Sequence, residues 1–291
     1  MRQTTAPLRT THRLARWLGG CALALGVAGG AAQAQSLPAS VSVSGTHAEA
    51  SISLPGLPPT DLAEVSLDFQ DATGLSTASL GVSAKSVSMT DTGLLARLPD
   101  LDSTKVPSSL PLLITIQPPT DGGLSFRGTG RIEVHTHALT YTPGSRLRLF
   151  KAALGGAFYD ITDEIASGSV RARGTYGGFS QFVIVTDTRP TGVAIAAKVQ
   201  RLRDRIDLLP ASEQPDFDAL LDSVESALAV NDYAAALTAT DAVRSRAEAR
   251  AGSFIADEWK AARTHSNHAG ELAAGAATLR FSIAFLRDYG S

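Results

Sequence analysis

The period of the apolar residues changes at Thr188-Arg189-Pro190, and this change restricts the possible folds more than any other feature of the sequence. Before that point, apolar and polar residues alternate in short runs separated by Gly, Pro, Ser and Thr, which is typical of β-strands. After it, Ala, Arg and acidic residues recur with helical spacing. The chain is therefore predicted to be all-β plus all-α, with an antiparallel β-sandwich at 35–187 followed by a small helical bundle at 188–291.

Residues 1–34 have the layout of a cleaved secretory signal peptide. Four arginines and no acidic residue precede an apolar run from Trp17 to Ala32, and Ala32-Gln33-Ala34 supplies small residues for cleavage. The run is diluted by glycine and short for the roughly 20 apolar residues of a spanning helix. The sequence thus predicts an exported protein, periplasmic or secreted in a bacterial setting, that does not span the membrane once the signal is removed.

Removal of the signal changes both the cysteine count and the charge. Cys21 is the one cysteine, so the mature chain would lack disulfides, thiolate catalysis and cysteine metal sites. Of 26 basic residues, 22 would remain against 28 acidic ones, and no basic domain is present to bind nucleic acid. The expected partner is a protein or another component of the cell envelope.

In the β part, short strands separated by turns predict two facing sheets. Asp91 to Leu98 is predicted to add one or two helical turns between strands. The predicted strands are 41–43, 48–54, 65–69, 80–84, 112–116, 124–127, 131–141, 146–150, 169–173 and 179–186. The predicted core residues are Val65, Leu67, Phe69, Ile114, Ile116, Leu147, Leu149, Phe182 and Ile184.

The end of the β part carries RLRLF at 146–150, FYDIT at 158–162 and FSQFVIV at 179–185. These segments resemble the closing strands of β-sandwich modules in bacterial surface and exported proteins. The resemblance implies a sandwich and brings no active site with it. Phe179 and Phe182 cannot share a face of a regular strand, so a bulge or a strand end is expected near Ser180.

The helical part is predicted to contain three amphipathic helices with short connections, followed by an ambiguous segment. The helices cover 192–209, a stretch that opens after Ser212, and a stretch from Tyr233 to Gly252. Phe254, Ile255 and Trp259 are predicted to begin a fourth helix, which the polar Thr264 to Gly270 interrupts. Residues 271–287 fit a helix or a strand, and their leucine, alanine and arginine content favours a helix.

One strand carries the candidate site. In RIEVHTHALTY, at 131–141, alternation places Glu133, His135 and His137 on one face, with Ile132 and Val134 on the other. Imidazole and carboxylate suit zinc or copper, so these three residues are candidate ligands for a divalent metal. The alternative is an exposed polar face with no ion.

Other motifs are incomplete. His265 and His268 would be neighbours on a helix and could complete a site with the strand histidines, although a polar helix break is the simpler meaning. Asp160, Asp163 and Glu164 are interpreted as a solvated turn and not as a paired-carboxylate site. No nucleotide loop, nucleophile elbow or metalloprotease motif occurs, so no cofactor and no enzymatic activity are predicted.

The sequence therefore predicts a non-enzymatic structural or interaction protein of the bacterial envelope. Two alternatives stay open. The first is a zinc- or copper-binding protein centred on Glu133, His135 and His137. The second is a carbohydrate-binding module, for which Tyr141, Phe158, Tyr159 and Tyr176 would be the exposed aromatic residues.

Overall fold

The computed structural model describes residues 35–290, which all lie in one compact unit. The predicted signal peptide, residues 1–34, lies outside the described residues. The strands are β1 (Gln35–Leu37), β2 (Ala39–Ser44), β3 (His47–Leu54), β4 (Thr60–Thr73), β5 (Val82–Ser86), β6 (Thr104–Lys105), β7 (Leu112–Ile116), β8 (Ser125–Thr136), β9 (Leu147–Ala152), β10 (Tyr159–Asp160), β11 (Thr162–Ala166), β12 (Val170–Tyr176), β13 (Gln181–Asp187) and β14 (Glu258–Lys260). The helices are α1 (Thr77–Leu80), α2 (Thr92–Leu95), α3 (Thr191–Ile206), α4 (Gln214–Ala229), α5 (Tyr233–Arg250) and α6 (His268–Tyr289).

The strands form two sheets in which every strand pair is antiparallel. Sheet A has the order β1-β5-β7-β13-β9-β10, with β6 added beside β13. Sheet B has the order β11-β12-β8-β4-β3-β2, with β14 added beside β8. At two places a single residue connects a strand of sheet A to a strand of sheet B. Pro38 connects β1 to β2, and Ile161 connects β10 to β11.

One buried apolar cluster draws residues from both sheets, because alternation turns the apolar side chains of β3, β4, β8 and β12 inward. All nine predicted core residues belong to this cluster, so the core prediction is confirmed. The predicted break near Ser180 is also confirmed: β13 begins at Gln181, and Phe179 lies before the strand.

Three strands in the middle of sheet A have apolar residues on both faces. The second face of β7, β9 and β13 carries Leu113, Phe150 and Val183, which a separate cluster covers. Leu94 and Leu98, at and just after α2, supply part of that cover. The predicted helical turn at 91–98 therefore has a packing role, because it covers apolar side chains on the second face of these strands.

The helices α3 to α6 surround a second core of leucine, valine, isoleucine and alanine side chains. The predicted segment 271–287 is helical, within α6. Within the described residues, α6 is the helix that is long and apolar enough to cross a membrane, but 61% of that apolar stretch is buried inside the protein. Its apolar character therefore has a structural cause, since α6 contacts the helices α3 and α5 and the strands β8, β11 and β12.

The prediction that Phe254, Ile255 and Trp259 begin a helix is wrong. Residues 251–254 form a turn, in which the Gly252 amide donates to the Ile255 carbonyl, and β14 follows and pairs with β8. The Trp259 ring stacks on Phe126 at 5.4 Å between centroids. Tertiary packing of this indole outweighs the helical propensity of its neighbours, and residues 188–291 are consequently not all helical.

Several strand boundaries also differ from the prediction, and two of the differences have a clear local cause. Leu80 lies in α1, which Ser76 caps in a capping box with Ser79, and the strand begins at Val82. Residues 124–127 and 131–141 are not two strands: β8 runs continuously from Ser125 to Thr136 and stops before Tyr141. Gly128 adopts a left-handed φ of 66° where the register with β4 shifts. It therefore marks a bulge within one long strand and not a turn between two strands.

Candidate functional site

The three predicted metal ligands lie on the outward face of sheet B. On β8, Ile132 and Val134 are buried while Glu133 and His135 point the other way and His137 follows the strand end, exposed. The two imidazole rings are 5.0 Å apart between centroids. The strand face predicted from the alternation is the one observed.

Glu133 is held by arginines from the neighbouring strand β12. One carboxylate oxygen accepts a hydrogen bond from Arg171 at 2.5 Å, and the other accepts from Arg173. Burial disfavours the charge on Glu133, but the two guanidinium groups hold its pKa below the ordinary value. Both oxygens that would bind an ion are therefore engaged by permanent cations.

The two histidines contact different groups. His135 Nδ1 is 3.0 Å from Glu64 Oε2, while His137 Nδ1 is 2.7 Å from the hydroxyl oxygen of Ser169. The Nε2 atom of His135 is buried without a hydrogen-bond partner. Across residues 35–290, no group of three or more His, Cys, Asp or Glu side chains is arranged to hold a metal ion. Binding of metal by Glu133, His135 and His137 stays a prediction.

The aromatic residues considered for sugar binding are mostly inside the protein. Phe158 and Tyr176 are buried, and Tyr141 packs against the core between the sheets. Tyr159 is half-buried with the Arg201 guanidinium over its ring at 3.3 Å. These residues form no exposed aromatic platform.

Asp160 is also inside, contrary to the interpretation of 160–164 as a solvated turn. Its carboxylate lies 2.9 Å from Lys198 Nζ on α3 and accepts hydrogen bonds from the backbone and the hydroxyl of Thr162. Burial opposes the charge on Asp160, but Lys198 and Arg148 hold its pKa below the ordinary value. This ion pair joins sheet A to the helices.

A cavity of about 300 Å³ opens where β9, β12 and β14 meet α3 and the start of α6. We call it the cationic pocket. Its walls carry four permanent cations and one carboxylate, together with two histidines and several aromatic and small residues. The lining residues are Lys151, Ala153, Tyr159, Gly177, Gly178, Phe179, Ser180, Arg201, Arg205, Trp259, Arg263, His265, Ser266, Asn267, His268 and Glu271.

Two features bring these segments together. Gly177 lies so close to α6 that a Cβ atom there would be 2.4 Å from the Glu271 amide nitrogen. Asn267 caps α6 by accepting from the Gly270 amide at 2.8 Å, and its amide nitrogen donates to the carbonyls of Gly128 and Gly177. The helix start is thereby fixed to sheet B at the pocket wall.

The one carboxylate that lines the pocket, that of Glu271, has a cation beside each of its two oxygens. Glu271 Oε1 is 3.3 Å from Lys151 Nζ, and Oε2 is 3.6 Å from Arg205. Burial opposes the charge on Glu271, but Lys151, Arg205 and Arg201 hold its pKa below the ordinary value. Burial likewise opposes the charge on Lys151, and Glu271 nevertheless raises the pKa of that amine. One carboxylate thus pairs with Lys151 and Arg205, and Arg201 acts on it from beyond ion-pair distance.

Two further guanidinium groups in the pocket have aromatic partners instead of acidic ones. Arg201 lies over Tyr159, and Arg263 lies 5.1 Å from the centre of the Trp259 ring. Within the described part of the chain, no carboxylate oxygen comes within 4.0 Å of either group. Each retains donors in a planar fork suited to carboxylate or phosphate.

His265 and His268 line this pocket, whereas His135 and His137 do not. His265 precedes α6, so the two are not neighbours on a helix as predicted. Burial, with the nearby Arg205, lowers the pKa of His268, and its Nδ1 atom is buried without a hydrogen-bond partner. A neutral imidazole with a free nitrogen adds a neutral polar group to the cationic wall.

The sequence does not reveal the cationic pocket because its residues come from widely separated segments. The nearest signal is the pair Arg201 and Arg205, which lie one turn apart on α3. The polar segment Thr264 to Gly270, interpreted as a helix break, supplies the opposite wall. Neither segment alone indicates an anion site.

The comparisons with known proteins give a family. A family model described as a family of unknown function, DUF6689, matches residues 22–287. The searches of curated proteins and of solved structures found no match. Because this match spans most of the chain, the chain belongs to the DUF6689 family.

Proposed function

We propose that this protein is an exported, non-enzymatic binding protein whose cationic pocket takes a small anionic ligand. One observation carries the proposal: four permanent cations face a single carboxylate in this cavity. Cations brought together in a partly desolvated site repel one another unless an anion joins them. A carboxylate or phosphate ligand would supply the missing charge.

The fold supports a binding role on a rigid scaffold. Two sheets with a common core are best described as a sandwich, and helices α3 and α6 pack beside it to complete the pocket wall. Lys151 lies on a strand, while Arg201, Arg205 and Glu271 lie on long helices. Side chains on such elements are held more precisely than those on loops. Export to the periplasm or the exterior rests on the predicted signal peptide.

Calorimetric titration of the protein with inorganic phosphate, sulfate and citrate tests the proposal. We expect at least one of these anions to bind, with affinity that falls as salt concentration rises. Arg201→Ala removes a donor fork and should weaken binding by about tenfold, the usual effect of losing a hydrogen bond to a charged group. The matched control is Arg244→Ala, because Arg244 lies exposed on α5 and pairs only with Glu248 there.

Equal affinities of the Arg201→Ala and Arg244→Ala proteins would contradict the proposal, as would the absence of binding by every anion. A panel of ester, glycoside, peptide and phosphoester substrates tests the non-enzymatic part. Turnover that is lost on Glu271→Gln or His268→Ala would make the protein an enzyme.

The metal-binding alternative keeps one supporting observation, the unpartnered Nε2 atom of His135 near a second imidazole. Elemental analysis of protein purified without a tag tests it. Zinc or copper that is lost on joint His135→Ala and His137→Ala substitution would support that alternative. Metal content unchanged by the double substitution would remove it.

A further inference from the structure

Next to the cationic pocket lies a second depression of about 490 Å³, which we call the proline groove. Four residues line both: Ala153, Phe179, Ser180 and Arg263. The remaining walls of the proline groove are Leu154 and the segment 116–120, which follows β7. The two depressions therefore adjoin each other, and we describe them together as one cleft.

The two ends of this cleft differ in charge. Five charged residues line the cationic pocket, whereas Arg263 alone is charged among the residues that line the proline groove. Ile116, Pro118 and Phe179 supply buried apolar surface there. Leu154 remains 49% exposed at the tip of the turn after β9. Leu154 thus extends the apolar lining of the groove to its rim.

Arg263 stands at the junction of the two ends. Its backbone has a φ of 60°, a left-handed conformation that is uncommon for residues other than glycine. Backbone conformations of this kind persist where the surrounding structure fixes them, and they concentrate at binding sites. With this backbone conformation, the Arg263 guanidinium lies beside Trp259, between the charged and the uncharged ends of the cleft.

From this adjacency and the difference in charge we propose that the ligand is a single-chain amphiphilic anion. Its carboxylate or phosphate head lies in the cationic pocket, beside Arg201 and Arg263, and its uncharged stem lies along Leu154 and the prolines. The inference rests on the proposed function, because it names the chemistry of the ligand for the same pocket. It adds a second, separable contribution to affinity, which comes from the stem.

The test is a titration of the full-length protein with two homologous series, ethyl to octyl phosphate and the matching straight-chain carboxylates, below their micelle concentrations. We expect affinity to rise about twofold for each added methylene, half the effect of complete burial, because the groove is open to solvent. The series whose shorter members bind more tightly identifies the head group.

Two variants separate the head from the stem. Arg201→Ala should weaken every member of a series by the same factor, whereas Leu154→Ser should reduce only the gain with chain length. Leu208→Ser is the matched control, because Leu208 is 58% exposed and lines neither depression. Its chain-length dependence should equal that of the unmodified protein.

The outcomes distinguish the two proposals. Binding of inorganic phosphate and ethyl phosphate without any gain from longer chains would overturn the amphiphile and leave the anion pocket intact. A gain with chain length that Leu154→Ser and Leu208→Ser reduce equally would place the stem elsewhere and also overturn it. Failure of all members to bind would overturn both.

Discussion

Asn267 connects the start of α6 to the strands beside the pocket. It is 3% exposed, caps α6 and donates to two carbonyls of sheet B. An aspartate would keep the cap and lose both donors, and a serine would be too short to reach the sheet. At the residue scale, the amide is therefore the group that joins helix and sheet.

Asn267→Ala should lower the free energy of unfolding by about 3 kcal/mol, about 1 for the cap and about 1 for each hydrogen bond to the sheet. Urea unfolding followed by circular dichroism measures the change. Asp232→Ala is the control, because Asp232 caps α5 at an exposed position and contacts no sheet. It should cost about 1 kcal/mol. Equal losses for both variants would mean that the sheet contacts contribute nothing.

Glu271 should make stability depend on pH in the acid range. Its pKa in the folded protein lies below the ordinary value of 4.5, so it contributes stability above about pH 4.5 that is lost as the pH falls through the folded pKa. Glu271→Gln should flatten this part of the curve. At neutral pH it should cost about 3 kcal/mol, because Lys151 keeps its charge without a partner.

Chemical denaturation of both proteins between about pH 2.5 and 7 measures the difference in slope. Glu225→Gln is the control, since Glu225 pairs with Arg203 at an exposed position on α4. A Glu271→Gln protein whose stability falls with acid as steeply as the unmodified protein would contradict the assigned pKa. Asp160 and Glu133, whose pKa values are also held below the ordinary ones, should contribute to the acid sensitivity that remains.

At the scale of elements, α6 depends on glycines where it approaches its neighbours. Gly177 meets the backbone of α6, and Gly270 meets the Gly128 carbonyl, where a Cβ would come within 2.2 Å of the oxygen. Gly275 faces the flexible end of Leu202 on α3. Backbone neighbours cannot rotate away as a side chain can, so the first two contacts set the position of the helix.

Gly177→Ala should destabilise the fold by about 2 to 3 kcal/mol through overpacking against a backbone that cannot yield. Thermal unfolding measures the loss. Gly192→Ala is the control, because Gly192 lies in the first turn of α3 with no atom within 4 Å of an added Cβ and an ordinary φ. That change should be neutral or stabilising, since alanine favours helix. A neutral Gly177→Ala would show that α6 can move away from the sheet.

Elements whose apolar residues recur with a clear period were predictable from the sequence. Elements that depend on contacts with residues far away in the sequence were not. The alternation around Val65 and Leu67 and the helical repeats around Phe217 and Val243 bury the residues that their periods predict. Trp259 was wrongly predicted to begin a helix. Its place in a strand depends on packing against Phe126 and Phe179, which are distant in the sequence. Short strands such as β10 and β14 carry too few residues for a period to show.

On the scale of the whole molecule, the sheets and helices should unfold together. Trp259 from the C-terminal part packs on Phe126 of β8, and Asp160 of β10 pairs with Lys198 of α3. These contacts are buried, so separating the parts would expose an aromatic cluster and two charges. The division at residues 187 and 188 predicted from the sequence marks a change of secondary structure, and its status as a domain boundary is testable.

Trp259 fluorescence and far-ultraviolet circular dichroism should report one coincident transition in urea. A protein ending at residue 187 should be unfolded or aggregated, because it lacks β14 and the partner of Asp160. Two separate transitions, or a folded fragment 35–187, would support independent domains. Trp259→Phe is the control for the probe, because it keeps an aromatic ring on Phe126 and removes the Trp259 contribution to the fluorescence, leaving that of Trp17.

The candidate site was far less predictable than the fold. Alternation placed Glu133 and His135 on the correct face, but the arginines that engage Glu133 lie on β12, a neighbour that the sequence does not specify. The cationic pocket needs β9, α3 and the start of α6 to meet, and only tertiary structure brings them together. Local patterns predict faces of elements, and sites between elements require their arrangement.

The pairing of β14 with β8 also determines when the fold can be completed. Glu258 lies opposite Arg127, so this ladder closes a loop of about 130 residues and can form only after residues 258–260 have been synthesised. Until then Phe126 has no indole over it, and the added edge of sheet B is open. Contacts at such a sequence separation slow folding. A nascent or truncated chain that lacks residues 258–260 would therefore stay incompletely folded and accessible to chaperones. These residues form the last of the described strands to pair with the sheet.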